Sequence, residues 1–468
     1  MRERILNVGR SVAMPELTLS INNISYYIGE RLIFHMPGAE LYKGGRIGIV
    51  GVNGAGKTTL MRTLMGYIAP DTGSVTAHGS RFLMSQMDDA DAVYLSDNAG
   101  NSGDELVRSR MAAAMAHRPD VLMLDEPASH LDDETRDVLL NYLRRYPGTM
   151  LIISHDRHIL DELCTEIWEI DSGEVTRWPG GYSEYAEAKR AKFERDMEAY
   201  EAYVEKKRQL LQAAAGQHAI AEKFQNASEN DFYRGKGRLV EKKAQALRRR
   251  VEKLEKVDRP TKRGRIHVDF ERGEQPVSRI PLRVEHLTLA PYGRVLLEDA
   301  SFAVSTGEKI AINGRNGCGK STLLEHIINR GEGVKVAPGV RFGYFSQRLD
   351  GLDDDRTLLE NVMATTRHKE SFVRLNMSRL WIRGEDVFKK AGVLSGGERV
   401  KGCLAKLYMS DANFLLLDEP TNFLDIYAMQ ALQDALVSYQ GSILLVSHDK
   451  TLRDAVCGRE LRLFESGC

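Results

Sequence analysis

At 468 residues the chain is longer than one ordinary domain and has material for two or three. It is 42% hydrophobic and 28% charged, which fits a globular protein with ample core, and its net charge of -1 names no partner by itself. No run reaches the ~20 apolar residues of a membrane span, and the opening MRERILNVGRSVAM lacks the apolar centre of a signal peptide. Met14 is an alternative start, and residues 1–14 are read as a tail. Cys164, Cys318, Cys403, Cys457 and Cys468 are odd in number and scattered without a CxxC pair, as expected of reduced thiols in a cytoplasm.

In chain order, strand-like alternation (LTLSINNISYY) leads to an apolar strand, RIGIV, and then to the glycine loop GVNGAGKTT at 51–59. A helical run (TTLMRTLMG) follows. The buried strand VLMLDEP ends at Pro127, and TMLIIS leads into His155. The same succession returns later: LRVEHLTLAPYG, KIAIN, GRNGCGKST at 314–322, FLLLDEP ending at Pro420, and SILLVS before His448. An internal repeat is the strongest signal in the chain. Its register changes once, because the first half has far fewer residues between Gln86 and Ser102 than the second has between Gln347 and Ser395. Short apolar strands alternating with helices predict a mainly parallel α/β sheet in each half, over 15–185 and 280–468.

Between the halves, 186–265 has helical period. Phe193, Met197, Tyr200, Val204 and Leu211 form one heptad seam; Val240, Ala244, Leu247, Val251 and Leu254 form another. The spacing predicts a helical hairpin whose first helix runs from Ala186 to at least Ala215, roughly 45 Å at 1.5 Å per residue. Gly216 leaves its continuation open. Asn226 to Gly237 has turn composition, and Arg259-Pro260 is expected to end the second helix. Residues 266–279 are a connector. Basic residues outnumber acidic ones beyond Ala221, so the neutral total conceals a basic patch.

The pattern G-x-x-x-x-G-K-[ST] is a phosphate cradle. In the first copy Gly51, Asn53, Gly54 and Gly56 turn backbone N–H groups toward phosphates, with Lys57, Thr58 and Thr59 completing it. The second copy uses Gly314, Asn316, Gly317, Gly319, Lys320, Ser321 and Thr322. The lysines reach the terminal phosphates, and Thr58 and Ser321 suit Mg²⁺. Asp125 and Asp418, at strand ends, suit a Mg²⁺ held through water. Glu126 and Glu419 are then placed to orient or deprotonate the attacking water.

LSGGE, at Leu394–Glu398, distinguishes one family among nucleotide-binding P-loop proteins. With it, both halves resemble the ATP-binding cassette family. The resemblance implies two P-loop ATP-binding cassette domains joined by an α-helical hairpin linker. It implies ATP and Mg²⁺ as cofactors, ATP hydrolysis, and a signature (Ser395, Gly396, Gly397, Glu398) that closes over ATP held by the other cassette. It also implies Gln86 and Gln347 as Mg²⁺-contacting Q-loops, His155 and His448 as switch histidines, Asp132 and Asp425 in D-loops, and Tyr27 and Tyr292 against adenine, with Tyr26 competing with Tyr27. The first half departs from the signature with NSGDE: Asn101 and Asp104 flank Ser102 and Gly103. A carboxylate there repels the γ-phosphate, so the site of Lys320 is expected to close or fire more slowly.

Two cassettes around a charged hairpin, with GGYSEY, KKAQALRRRVEKLEK and DEPTNFLD, resemble the ABC-F proteins. That resemblance implies a 70S ribosome partner (23S rRNA and tRNA near the exit site), a monomer with intramolecular cassette pairing, and a hairpin tip (Phe232, Tyr233, Arg234, Lys236, Arg238) as the contact. SGGERVKGCLAKLYMSDANFLLLDEPTNFLD looks like the antibiotic-resistance branch, which is favoured over a housekeeping or regulatory translation factor. The ATPase subunit of a transporter with a separate membrane partner is the remaining alternative. Cys318, inside the second glycine loop, is expected to report on ATP through its alkylation.

Overall fold

The computed structural model describes residues 16–85, 116–128, 131–226, 231–260, 276, 278–291, 295–380, 382, 384–422 and 424–463, with the side chains of 225–226 and 231–234 excepted. Gln86, Ser102, Gly103 and Tyr292, together with Asn101 and Asp104, lie outside the described residues, as do the side chains of Phe232, Tyr233 and Arg234. The chain forms two compact units, Met1–Ser183 with Gly264–Cys468, and Glu184–Arg263.

The first half contains strands Leu17–Ile28 (β1), Arg31–Met36 (β2), Ala39–Tyr42 (β3) and Arg46–Gly51 (β4), then helix Lys57–Met65 (α1) and strands Thr72–Ala77 (β5) and Arg81–Met84 (β6). Later come Val121–Asp125 (β7), Asp133–Arg145 (α2), Thr149–Ile153 (β8), Arg157–Leu163 (α3), Glu166–Asp171 (β9) and Glu174–Pro179 (β10). These strands make one sheet in the order β3-β1-β2-β10-β9-β4-β8-β7-β6, with β5 on β1. The stretch β9-β4-β8-β7-β6 is parallel throughout, whereas β1 pairs antiparallel with β2, β3 and β5. Every residue of β7 and β8 is buried, which is why both read as unbroken apolar runs rather than alternating ones. Trp168 is fully buried in this core.

The hairpin consists of helices Tyr182–Asn226 (α4) and Asp231–Glu252 (α5). Helix α4 passes Gly216 without interruption and reaches 45 residues, about 68 Å at 1.5 Å per residue. One helical glycine costs ~1 kcal/mol, and packing on either side outweighs it: Ala214 and Ala221 are each 1% exposed. The expected turn from Asn226 to Gly237 is corrected, because α5 already begins at Asp231 and includes Gly235 and the buried Gly237. Arg259-Pro260 does not end the second helix either. Helix α5 stops at Glu252, where Leu254 N–H tightens onto Val251 O in a three-residue bond typical of frayed ends. The second seam faces inward as expected: Val240, Leu247, Val251 and Leu254 are half-buried and Ala244 is fully buried. The first seam drifts. Val204 and Leu211 are exposed, and Tyr203, Leu210, Ala214, His218 and Ala221 take the inner face. A strict heptad slips by ~20° per repeat on a straight helix, so a seven-residue extrapolation from Phe193 leaves the contact face. His218 Nδ1 meets Glu241 Oε2 at 2.7 Å, so the chain has doubled back between them.

The second half repeats the first with strands Leu282–Leu289 (β11), Leu297–Val304 (β12) and Lys309–Asn313 (β13), helix Lys320–Ile328 (α6), and strands Val334–Val336 (β14) and Phe342–Phe345 (β15). A helical lobe of Leu358–Met363 (α7), Glu370–Arg379 (α8) and Gly396–Tyr408 (α9) follows. Phe414–Asp418 (β16), Ile426–Ser438 (α10), Ser442–Val446 (β17), Lys450–Val456 (α11) and Arg459–Arg462 (β18) complete it. The order β15-β16-β17-β13-β18 is parallel and matches β6-β7-β8-β4-β9 strand for strand. Val362, Val373, Met377 and Leu380 of the lobe share one core with β15–β17. Adjacent strand ends thus carry a glycine loop, a histidine and an acidic pair, at the carboxyl edge where open α/β sheets bind ligands. Among the described residues no helix is long and apolar enough to cross a membrane.

Ala244 is 0% exposed between the helices. Ala244→Phe is expected to overpack the hairpin by ~1–3 kcal/mol and to speed amide hydrogen exchange along α4 and α5. Unchanged exchange there would show that the small-residue seam does not set the spacing of the two helices.

Candidate ATP site

Both glycine loops end on a glycine in the left-handed region, Gly56 at φ 99° and Gly319 at φ 98°, each serving as the N-cap of the following helix. A Cβ on Gly56 would lie 2.6 Å from Ile33 Cγ2, so the loop fits only glycine there. Lys57 Nζ donates to Gly51 O at 2.9 Å and Val52 O at 3.2 Å; Lys320 Nζ donates to Gly314 O at 2.7 Å and Arg315 O at 3.1 Å. An ammonium has three donors, so each lysine is folded over its own loop with one left for a phosphate oxygen. Burial lowers the Lys57 pKa, while Glu126, Asp425 and Asp125 oppose that shift.

Thr58 Oγ1 donates to Asp125 Oδ2 at 2.8 Å. Asp418 is the counterpart beside Ser321: burial raises its pKa, the Ser321 hydroxyl lowers it, and its Oδ1 is buried with no hydrogen-bond partner. A hydroxyl next to a carboxylate with an unsatisfied oxygen fits a hydrated Mg²⁺ that takes its other ligands from phosphate. Gln347, just beyond β15, is exposed.

Glu126 and Glu419 both adopt positive φ, 52° and 47°. Such backbone strain in a non-glycine residue costs ~1–3 kcal/mol and persists where surrounding bonds enforce it. Here Glu126 N–H donates to Ile153 O and Glu419 N–H to Val446 O, each at 2.9 Å, locking the bend to the neighbouring strand. The bend sends each carboxylate back toward its histidine. His155 N–H donates to Glu126 Oε2 at 3.3 Å, and His448 N–H to Glu419 Oε2 at 3.2 Å. The rings lie close too, His155 Nε2 3.4 Å from Glu126 Oε1 and His448 Nε2 3.5 Å from Glu419 Oε1. Burial pushes the Glu126 pKa up to about 8 and that of Glu419 up to about 7. Burial also pulls His155 down to about 3 and His448 to about 4. Near neutrality both histidines are therefore neutral, Glu126 is mostly protonated and Glu419 about half so, and each acid is poised in the range useful to a general base.

The cavity around Lys57, about 740 Å³, is lined by both halves. From the first come Asn53, Gly54, Gly56, Lys57, Thr58, Thr59, Asp125, Glu126 and His155; from the second come Gly396, Gly397, Glu419 and His448. Ser395 caps α9, and its hydroxyl accepts from Glu398 N–H while the Glu398 carboxylate accepts from Ser395 N–H at 2.9 Å, a capping box. The Ser395 hydroxyl and N–H, then Lys389, hold Glu398 down to about 2. Glu398 therefore builds the helix start, whose free N–H groups at Gly396 and Gly397 attract phosphate. Asp425 Oδ2 accepts from Asn53 N–H at 3.4 Å across the halves. The second loop is tied across as well: Arg315 Nη2 donates to Glu134 Oε2 at 2.8 Å, and Asn313 Nδ2 to Asp133 Oδ2 at 3.1 Å.

The sequence reading missed some of this cavity. Ile28, Arg31 and Ile33 line it, whereas Tyr27 does not; Tyr27 is 43% exposed, and Tyr26 stacks on Phe34 at 6.0 Å. Arg136 also lines it, although no motif marks that position. Cys318 is corrected as a reporter: it is 1% exposed and belongs to the core under the second sheet, so it is not open to alkylation.

The raised carboxyl pKa values carry a sign. A carboxyl raised from 4.5 to about 8 leaves the folded state holding a proton that the unfolded chain has lost. Stability present below pH ~4.5 is then lost as pH rises through the folded pKa. Without nucleotide, Glu126→Gln should raise the Tm above that of the parent at pH about 9 and leave it nearly unchanged at pH about 4.5. An equal shift at both pH values would contradict the buried, protonated acid.

A family model described as ABC transporter matches residues 36–100 and 297–422. The chain is 31% identical to the erythromycin resistance ATP-binding protein MsrA of Staphylococcus epidermidis, over 93% of this chain and 95% of that one. It is 29% identical to the ribosome protection protein VmlR of Bacillus subtilis, over 96% of this chain and 87% of that one. Among solved structures, the archaeal ribosome recycling factor aABCE1, in complex with stalk protein aP1, shares the fold, with a TM-score of 0.62 and 20% identity over 94% of this chain and 87% of that one. Paired glycine loops, acidic strand ends and a signature helix shared across one cavity agree with these likenesses: the chain is an ATP hydrolase and belongs to the ABC-F family of tandem ATP-binding cassette proteins.

Proposed function

We propose that this ATPase acts on the ribosome, inserting and withdrawing its helical hairpin at the tRNA exit site and thereby protecting the ribosome from antibiotics. The observation that carries this reading is likeness along nearly the whole chain, hairpin included, to proteins named for ribosome protection and for erythromycin resistance. The surface of α5 supports it: Lys236, Arg238, Lys242, Lys243, Arg248, Arg249 and Arg250 are all exposed, a concentration of cations suited to RNA phosphates. Phe232, Tyr233 and Arg234 are the residues assigned to stacking and phosphate contact at the target.

The cassettes at 15–185 and 280–468 supply the drive, and the hairpin at 186–265 delivers it. ATP on the Lys57 loop draws the N–H groups of Gly396 and Gly397 onto its γ-phosphate, and Lys57 turns its third hydrogen to the same phosphate. Thr58 or Ser321, with Asp125 or Asp418 and Gln86 or Gln347, would hold Mg²⁺, which would supply positive charge to neutralise the phosphates. Glu126 and Glu419 orient the attacking water and take its proton, and neutral His155 and His448 hold those carboxylates in place. Loss of the γ-phosphate removes the bridge between the halves, which then separate and free the protein.

Replacing both acids, Glu126→Gln with Glu419→Gln, should cut turnover by about 10²–10⁴ and hold the protein on 70S particles in ATP during co-sedimentation. Its absence from the ribosome pellet would sink the ribosome reading. The two single variants are expected to lose unequal shares of turnover, because the departure NSGDE in the first signature is assigned to the site of Lys320; equal losses would remove that assignment.

A further inference from the structure

One buried cation is not used by either ATP site as described so far. Arg136, in the first turn of α2, is 7% exposed. Its Nη1 donates to His448 O at 3.0 Å, and its Nη2 donates to the carboxylate of Asp156. His448 is the switch histidine of the second half, and Asp156 directly follows the switch histidine of the first. Asp156 also caps α3, accepting from His158 N–H at 2.9 Å and Ile159 N–H at 3.3 Å. A single planar fork therefore spans the two switch loops. At each end it stands one residue or less from a histidine whose N–H holds a water-activating glutamate, Glu126 on one side and Glu419 on the other.

A second bond from the same turn reinforces this grip. Asp133 Oδ2 accepts from Arg453 Nη2 at 2.7 Å, and Arg453 Nη1 donates to Ser447 O at 2.8 Å. The start of α2 thus fixes two successive carbonyls of the second switch loop, Ser447 and His448. The repeat does not reproduce this arrangement on its other side. Counting from the capping aspartates, Asp132 of α2 and Asp425 of α10, the residue equivalent to Arg136 is Met429, which also lines the cavity. Methionine has no hydrogen to donate, so the equivalent position makes no such fork, and among the described residues Arg136 alone bonds both switch loops in this way.

We infer that Arg136 is a positioning residue that couples the two ATP sites, transmitting the state of one switch loop to the other through its two-ended guanidinium. Nucleotide that draws His448 into place at the second site pulls on the same side chain that braces Asp156, and hence His155, at the first. Only a planar fork serves both ends, because a lysine ammonium is a point donor without that geometry. This inference rests on the hydrolase alone and stands apart from the ribosome reading.

The test is steady-state ATP hydrolysis by the full chain, without ribosomes, across a range of ATP concentrations. The parent is expected to show a Hill coefficient above 1, bounded at about 2 by the number of sites. Arg136→Met, which copies the other half, and Arg136→Lys, which keeps the buried charge but breaks the fork, should each bring it to about 1. Arg136→Lys decides the matter if Arg136→Met does not fold. A folded variant with lower kcat and the Hill coefficient of the parent would reduce Arg136 to a packing role. A parent Hill coefficient of 1 would overturn the inference equally.

Discussion

The rest of the molecule depends on one juxtaposition, the start of α9 facing the Lys57 loop across the cavity. A helix N-terminus carries unsatisfied N–H groups and about half a positive charge, and a triphosphate is the ligand that best satisfies it. Neither half can complete that cavity alone. The parallel strands place the first loop, and the capping box of Ser395 and Glu398 places the opposing helix. Asp425, reaching Asn53 N–H, holds the two in register. Glu126 and Glu419 lie buried at this same seam, where they are costly to ionise until charge is supplied from outside the protein.

Much of this was legible because its chemistry is local. A glycine loop, a strand ending in Asp-Glu and a strand running into Ser-His each need only a few consecutive residues, and each occurs twice. Arg136 was illegible for the opposite reason. Its acceptor, His448 O, is 312 residues away and is a backbone atom, so no side-chain pattern advertises it. Tyr27 illustrates a different limit. In β1 the alternation of side chains between faces is broken by an irregularity between Tyr26 and Tyr27, so sequence period does not say which of Tyr26, Tyr27 and Ile28 meets the cavity, and it is Ile28.

The hairpin was legible as helices and misread at its ends. Gly235 and Gly237 were taken for turn residues because glycine more often interrupts helices than extends them. In α5, Gly237 is buried, as Ala214, Ala221 and Ala244 are, so the small residues belong to a close-approach surface. Larger apolar residues in the same period are readable as a seam; glycine and alanine carry no such signal, and their place is fixed only by the partner helix.

The left-handed backbone at Glu126 and Glu419 has an evolutionary consequence. Glycine adopts that conformation without strain, so it is the substitution that most relieves the fold at those two positions, and it is also one that deletes the carboxylate. At each acid the sequence is held in place against the preference of its own backbone, and, in the role proposed for these carboxylates, drift toward stability would run toward inactivity. A lineage that ceased to need hydrolysis would be expected to lose these two side chains early, while the glycine loops, which fold as comfortably as they bind, would outlast them.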